Sequence, residues 1–101
     1  MKTYIIVEKD VETGKSIRTV IDKFDDLRFI GSAKDQNEAF HLIFKTGPDI
    51  VFLGLDDVID NLSDFLLDIA KHSENDPVLL RCPRQRNWRL RLINLVFSIF
   101  S

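Results

Sequence analysis

The stretch Pro48-Asp49-Ile50-Val51-Phe52-Leu53-Gly54-Leu55-Asp56-Asp57 decides the fold. Four consecutive apolar residues, Ile50 to Leu53, follow a Gly-Pro pair and lead towards acidic residues. A short apolar run bounded by turn residues is typical of a strand buried on both faces of a parallel sheet. Open α/β sheets bind their ligands at the carboxyl ends of the strands. At that end of this strand stands Gly54, which has no functional side chain to present.

Length and composition indicate one globular domain. An apolar fraction of 45% in 101 residues is ordinary for a folded protein and argues against disorder. The formal charge of −2 conceals an asymmetry. Residues 1–80 hold all 16 acidic and 9 of the 14 basic residues, a charge of −7, whereas residues 81–101 hold five arginines and no acid.

Cysteine usage and hydropathy predict the compartment. The single cysteine, Cys82, excludes an internal disulfide and is typical of a reducing environment. The sequence shows no secretory leader, and its longest apolar-rich run, 92–100, is too short to span a bilayer. We therefore expect a cytoplasmic protein without a membrane span.

Strand and helix patterns alternate through the first 81 residues. Short apolar runs predict strands near residues 4–7, 27–31, 49–54 and 77–81. Between them, apolar residues at i, i+3, i+4 and i+7 predict helices over about 11–24, from Asn37 to the Gly47-Pro48 stop signal, and over about 62–70. This alternation predicts a parallel sheet with right-handed crossovers and helices on both faces.

The last twenty residues fit two patterns. Trp88 to Leu92 alternates like a strand, whereas Leu92, Leu95, Val96, Ile99 and Phe100 would suit one face of a helix. Both assignments stay open at this point.

Three local motifs, with the order of elements, resemble the receiver domain of two-component response regulators. They are Ile5-Ile6-Val7-Glu8-Lys9-Asp10, residues 48–57 and residues 77–82. Phe29-Ile30-Gly31-Ser32-Ala33, followed by Asn37-Glu38-Ala39, is most similar to receivers of LytTR-type regulators. The resemblance covers residues 1–83 and implies a flavodoxin-like (CheY-like), doubly wound parallel sheet in the order 2-1-3-4. Residues 81–101 stand where such receivers have a fourth helix, a fifth strand and a fifth helix, and they are too few for all three. The basic and apolar segment 84–101 is therefore expected to be atypical or truncated.

The resemblance also implies a site, and the site is degenerate. Such receivers take a phosphoryl group onto an aspartate that ends the third strand, with Mg²⁺ on two acids that end the first. Here Gly54 stands at the acceptor position, Glu8 and Lys9 align with the acid pair, and Cys82 takes the hydroxyl position after the fourth strand. A Lys9 ammonium would repel a divalent cation or fill its space. No lysine follows Lys71 to pair with a phosphate.

These departures predict a pseudo-receiver, a signalling module rather than an enzyme. It would bind protein partners without aspartyl phosphorylation, without a cofactor and with weak or absent Mg²⁺ binding. One alternative is an active receiver that uses Asp56 as a shifted acceptor. Another is a binding module whose Arg-rich tail contacts nucleic acid or membrane, although nucleic-acid binding is not expected of this domain alone.

The same residues have simpler interpretations. Gly54 could be only a close-packed strand glycine, and Asp56 with Asp57 only solvated loop acids. Glu8 and Lys9 could form a local salt bridge or remain exposed charges that contribute well under ~1 kcal/mol. The two histidines, His41 and His72, have no partners at metal-ligand spacing and are expected at the surface or at helix ends.

The apolar tail predicts burial. Seven of its side chains, left in water, would each forgo roughly 1.5–3 kcal/mol: Trp88, Leu90, Leu92, Leu95, Val96, Ile99 and Phe100. We expect the tail to cover the sheet or helices of its own chain or, preferably, of a second copy in a homodimer that exchanges residues 84–101.

Overall fold

The computed structural model describes residues 2–54, 61–72, 77–82 and 85–99. Within these ranges the side chains of Leu62, His72 and Ile99 are not described. The strands are β1 (Lys2–Val7), β2 (Leu27–Ala33), β3 (Ile50–Leu53) and β4 (Val78–Arg81). The helices are α1 (Val11–Ile21), α2 (Gln36–Thr46), α3 (Leu62–His72) and α4 (Trp88–Ile99).

The four strands form one parallel sheet in the order β2-β1-β3-β4, which confirms the predicted fold. The chain runs from β1 outward to β2 and then returns to the other side of β1 with β3. The order therefore reverses between β1 and β3, and these two neighbours end at the same edge of the sheet.

The central strand is buried on both faces, as its apolar run predicts. All four residues of β3 are buried, and they alternate between two cores. The α1-side core contains Tyr4, Ile6, Ile17, Val20, Ile21, Leu27, Ile50, Phe52, Cys82, Leu92 and Val96. The α2-side core contains Ile5, Val7, Ala33, Ala39, Ile43, Val51, Leu53, Phe65 and Ile69.

Strand β2 runs two residues beyond the predicted end at Gly31. The register of β1 against β2 shifts after Tyr4, which pairs with Phe29, so that Ile5 pairs with Gly31. A Cβ atom on Gly31 would lie 3.0 Å from Cδ1 of Leu42 in α2. The glycine thus allows α2 to pack closely on the strand, and the strand continues past it instead of ending there.

Helix α2 has clear signals at both ends. Its N-cap Asp35 accepts a hydrogen bond from the Glu38 N–H (2.8 Å), and the Glu38 carboxylate accepts one from the Lys34 N–H (2.8 Å). At the other end Gly47 adopts the left-handed conformation, with φ of 61°, and its N–H donates to the Ile43 carbonyl at 2.9 Å.

The ambiguous tail is a helix, and it packs against its own chain. Leu92 and Val96 of α4 are fully buried in the α1-side core, and Phe97 meets Phe24 edge-on with ring centroids 5.0 Å apart. Helix α4 therefore lies beside α1, whereas α2 and α3 cover the opposite face. The predicted boundary between residues 83 and 84 lies outside the described residues. No helix in the described ranges is long and apolar enough to cross a bilayer.

Candidate functional site

The candidate site lies where β1 and β3 end side by side. Val7 pairs with Leu53 in the last rung of the two strands. The pairing continues one residue further, because the Gly54 N–H donates to the Val7 carbonyl at 2.8 Å. On the other side of β1, the Glu8 N–H donates to the Ala33 carbonyl at 2.9 Å. These backbone hydrogen bonds fix Glu8 and Gly54 next to each other at the carboxyl edge of the sheet.

The side chain of Glu8 fills the space beside Gly54. A Cβ atom built on Gly54 would overlap Oε2 of Glu8 and would lie 2.6 Å from its Cδ and 2.8 Å from its Cβ. Glu8 is only 6% exposed, and it is the one charged side chain that is buried among the described residues. Its Oε1 accepts a hydrogen bond from the Asp10 N–H at 3.2 Å. A carboxylate from β1 thus occupies the position where a side chain of β3 would begin.

Gly54 is needed here for space and not for backbone conformation. Among the described residues Gly47 is the one with a positive φ angle, so Gly54 has a backbone that other residues can adopt. Gly54 is itself buried. The interpretation of Gly54 as a close-packed strand glycine therefore describes its packing, and the residue that it packs against is Glu8.

The three residues after β1 have three different environments. Glu8 is buried, Lys9 is exposed, and Asp10 is the N-cap of α1. The Asp10 carboxylate accepts hydrogen bonds from the Thr13 hydroxyl (2.6 Å) and the Thr13 N–H (3.1 Å), which lower the pKa of that carboxyl. The space beside Gly54 is taken by Glu8 and not by Lys9, and Glu8 is not the exposed charge of the simpler interpretation.

Cys82 closes the far side of the site as a buried thiol. Its N–H donates to the Leu53 carbonyl at 2.9 Å, which places it one position beyond β4 and level with Gly54. Cys82 is 1% exposed. Burial, and secondarily the charge of Glu8, raises the pKa of the thiol to about 12. At neutral pH Cys82 is therefore protonated and behaves as a small apolar core residue.

The described side chains do not fit the Mg²⁺ site that the resemblance implies. Mg²⁺ needs several hard oxygen ligands in near-octahedral geometry. Of the three aligned positions only Glu8 carries a carboxylate, and that carboxylate is folded against Gly54. Within the described ranges no group of three or more His, Cys, Asp or Glu side chains is placed to hold a metal ion.

The other candidate residues lie elsewhere or beyond the described ranges. Asp56 and Asp57 are outside the described residues, as is the side chain of His72. His41 is exposed on α2. Of the five tail arginines, Arg84 is outside the described residues, and the other four are exposed: Arg81, Arg86, Arg89 and Arg91.

Sequence patterns missed the contact between Glu8 and Gly54. The available signal was an acid one residue past β1 and a glycine one residue past β3, which a parallel register makes neighbours. The capping role of Asp10 was also missed, although Asp followed by Thr three residues later at a helix start is a recognisable signal.

Two solved structures have a similar fold. The response regulator domain of Thermotoga maritima CheB superimposes with a TM-score of 0.62 at 18% identity, over 91% of this chain and 72% of that one. The non-phosphorylated HemR receiver domain from Leptospira biflexa gives a TM-score of 0.60 at 27% identity, over 94% of this chain and 76% of that one. No protein-family model and no curated protein matches the sequence.

The chain has the CheY-like form of the flavodoxin-like fold. It shares the strand order and the helices on both faces of the sheet, and its candidate site lies between β1 and β3, where the strand order reverses. Within that class, the chain fits a receiver domain like those of these two proteins. The resemblance noted in the sequence is thereby confirmed at the level of the receiver domain.

Proposed function

We propose that this receiver domain is a pseudo-receiver, a non-enzymatic signalling module that binds protein partners and is not switched by aspartyl phosphorylation. The observation that carries the proposal is the packing of Glu8 against Gly54. The likeness of residues 29–33 and 37–39 to receivers of LytTR-type regulators stays a prediction from the sequence.

Chemistry supports the proposal first. Acyl phosphate formation needs a carboxylate nucleophile in line with the phosphodonor, and glycine has none. The carboxylate beside Gly54, that of Glu8, is buried and accepts a hydrogen bond from the Asp10 N–H. A nucleophile must instead be presented at the surface, where a donor can reach it.

Electrostatics supports it second. A transferred phosphoryl group brings negative charge that receivers offset with Mg²⁺ and a lysine. In this chain the acid at the site is buried beside Gly54, and one of the two metal-ligand positions is the cation Lys9. We therefore propose that Mg²⁺ binds weakly or not at all, and that the charge at this edge is constant rather than switched.

The test is phosphorylation by a small donor. The native chain, incubated with acetyl phosphate and Mg²⁺ beside a phosphorylatable receiver as assay control, should show no gain of a phosphoryl group by intact mass. Gly54→Asp alone should also stay unmodified, because Glu8 occupies the space of the new side chain and Lys9 opposes the metal. Phosphoryl uptake should require that Glu8 is also shortened and Lys9 is also replaced, as in the triple variant Glu8→Asp/Lys9→Asp/Gly54→Asp.

One result would favour the competing active-receiver function. If the native chain gains a phosphoryl group that Asp56→Asn abolishes, the acceptor is shifted by two residues and the pseudo-receiver proposal is wrong. Uptake by the Gly54→Asp variant alone would contradict the part of the proposal that rests on Glu8 and Lys9.

A further inference from the structure

A cleft opens between α1 and β2, beside the candidate site. Its volume is about 360 Å³, near the lower end of the range for small-molecule sites. One wall is a single face of α1, formed at helical spacing by Val11, Gly14, Lys15 and Arg18. The buried Ile6 and the half-buried Phe29 give it an apolar floor. We call this cavity the α1–β2 cleft.

Gly14 keeps the cleft open, although the fold does not require a glycine there. Among the described residues Gly47 is the one with a positive φ angle, so another residue could adopt the backbone at position 14. A Cβ atom on Gly14 would lie 3.9 Å from the Glu8 Cβ, an ordinary contact. Glycine inside a helix destabilises the helix relative to alanine. A longer side chain on this face of α1 would enter the cleft, and a residue that costs stability while it preserves a cavity is typical of a binding site.

The mouth of the cleft carries three cations. Lys15, Arg18 and Lys34 line it, and all three are exposed. Nζ of Lys15 lies 4.0 Å from the Glu12 carboxylate, and Nε of Arg18 lies 3.9 Å from that of Asp22. Water screens exposed ion pairs of this length, so they compete only weakly with an anion bound in the cleft.

The two acids that line the cleft are engaged by the chain itself. Oε1 of Glu8 accepts a hydrogen bond from the Asp10 N–H, and Oε2 of Glu8 occupies the space beside Gly54. Oε2 of Glu38 accepts a hydrogen bond from the Lys34 N–H at 2.8 Å. The three cations therefore dominate the field that a ligand meets at the mouth, which favours an anion over a cation.

The floor of the cleft suits an aromatic body. The Arg18 guanidinium lies over the Phe29 ring, 4.1 Å from its centroid. A guanidinium also stacks on flat ligand rings and pairs with carboxylate or phosphate oxygens. We infer that the α1–β2 cleft binds a small aromatic anion, with the ring on the apolar floor and a carboxylate or phosphate group among Lys15, Arg18 and Lys34. This inference is independent of the chemistry at Gly54 and goes beyond the proposed function.

The experiment is an NMR titration of the whole ¹⁵N-labelled chain with naphthoate and with naphthyl phosphate. At least one of the two should shift the amide signals of cleft residues such as Gly14, Ser32 and Lys34, and should saturate with a dissociation constant below about 1 mM. Comparison of the two ligands separates a carboxylate from a phosphate head group. Neutral naphthalenemethanol and inorganic phosphate should each bind at least tenfold more weakly, because each lacks one half of the ligand.

Variants test the space and the charge separately. Gly14→Leu should fill the cleft and raise the dissociation constant at least tenfold, while urea unfolding shows a helix that is more stable and not less, so that lost binding cannot be assigned to unfolding. Lys15→Gln/Lys34→Gln should weaken binding of the anion several-fold and leave that of naphthalenemethanol unchanged. Lys71→Gln is the matched control, because Lys71 is also an exposed helix lysine but lies on α3, across the sheet.

Three results would overturn the inference. They are the absence of saturable shifts at the cleft with either anion, binding by Gly14→Leu as tight as that of the native chain, and binding of naphthalenemethanol or inorganic phosphate as tight as that of the anions. Shifts confined to residues outside the cleft would overturn it as well. The phosphorylation assay uses neither these ligands nor these variants, so the two proposals fail separately.

Discussion

Replacing Gly54 by alanine should destabilise the domain specifically through Glu8. The added Cβ would overlap the Glu8 carboxylate and approach the Glu8 Cβ to 2.8 Å, so either the buried side chain or the strand ends must move. Overpacking of this kind costs typically ~1–3 kcal/mol. The loss of chain entropy in the unfolded state offsets ~0.4–1 kcal/mol of that. We expect Gly54→Ala to lower the free energy of unfolding by about 1–2 kcal/mol, a fall of several degrees in Tm.

A double-mutant cycle assigns the cost to one contact. Glu8→Ala removes the overlapping carboxylate and leaves only the Cβ–Cβ approach, so Gly54→Ala should cost less in that background, with a coupling energy of about 1 kcal/mol or more. Urea unfolding of the four proteins measures it. The single tryptophan, Trp88, is half-buried and provides a fluorescence signal alongside circular dichroism.

Two other glycines are matched controls. At Gly14, in α1, a Cβ would lie 3.9 Å from the Glu8 Cβ, an ordinary contact, so Gly14→Ala should stabilise the helix by ~0.5–1 kcal/mol. At Gly47 a Cβ would meet nothing within 4 Å, but φ is 61°, so Gly47→Ala should destabilise with no coupling to Glu8→Ala. The reasoning is refuted if Gly54→Ala is tolerated as well as Gly14→Ala. A coupling energy within the additivity error of ~0.3–0.5 kcal/mol would refute it equally.

Three further predictions concern Cys82 and α4. The pKa of the Cys82 thiol is about 12 in the folded chain and 9.0 ordinarily, so the unfolded chain releases the thiol proton at lower pH than the folded chain. The free energy of unfolding should therefore fall as pH rises from about 9 towards 12. Urea titrations in this range should show the fall, and Cys82→Ala should make the fall smaller. At pH 8 alkylation of Cys82 by iodoacetamide should proceed only at the rate of unfolding, and rapid labelling of the folded protein would contradict its burial. Leu92→Ala should lower the free energy of unfolding by ~2–5 kcal/mol, since that side chain is fully buried, whereas Leu90→Ala, at an exposed position, should lower it by under ~0.5 kcal/mol. Equal effects of the two changes in urea unfolding would show that α4 does not pack on α1 as described.

The sheet could be predicted from the sequence because its signals are local. Each strand is a short apolar run with turn residues beside it, and a run such as Ile50 to Leu53 has no polar position that a solvated face would require. Alternation with helical stripes then restricts the topology to a few right-handed arrangements. The extension of β2 to Ala33 was not predicted, because glycine often marks the end of a strand. Here Gly31 instead gives Leu42 of α2 room to pack on the strand, which continues past it.

The tail and the site could not be predicted in the same way, because both depend on contacts between distant residues. Residues 88–92 satisfy a strand pattern and residues 92–100 a helix pattern, and the choice is made by the buried position of Leu92 and Val96 in the α1-side core. The burial of Glu8 depends on the absence of a side chain at position 54, almost fifty residues away. A local pattern contains no information on contacts over that separation, so the sequence alone did not distinguish the burial of Glu8 from that of Lys9. In the structure Glu8 is buried and Lys9 is exposed.

The sharing of the α1-side core between the first and last helices has a consequence for synthesis on the ribosome. The buried residues of the α2-side core end at Ile69, so that half of the molecule can be assembled while the rest of the chain is still being translated. The α1-side core stays open until Val96 has emerged, because α4 supplies two of its buried residues. During that interval the nascent chain displays Ile17 and Ile21 to solvent or to a chaperone. A premature stop near residue 83 would leave that apolar surface exposed permanently, and such a product should be a substrate for proteolysis.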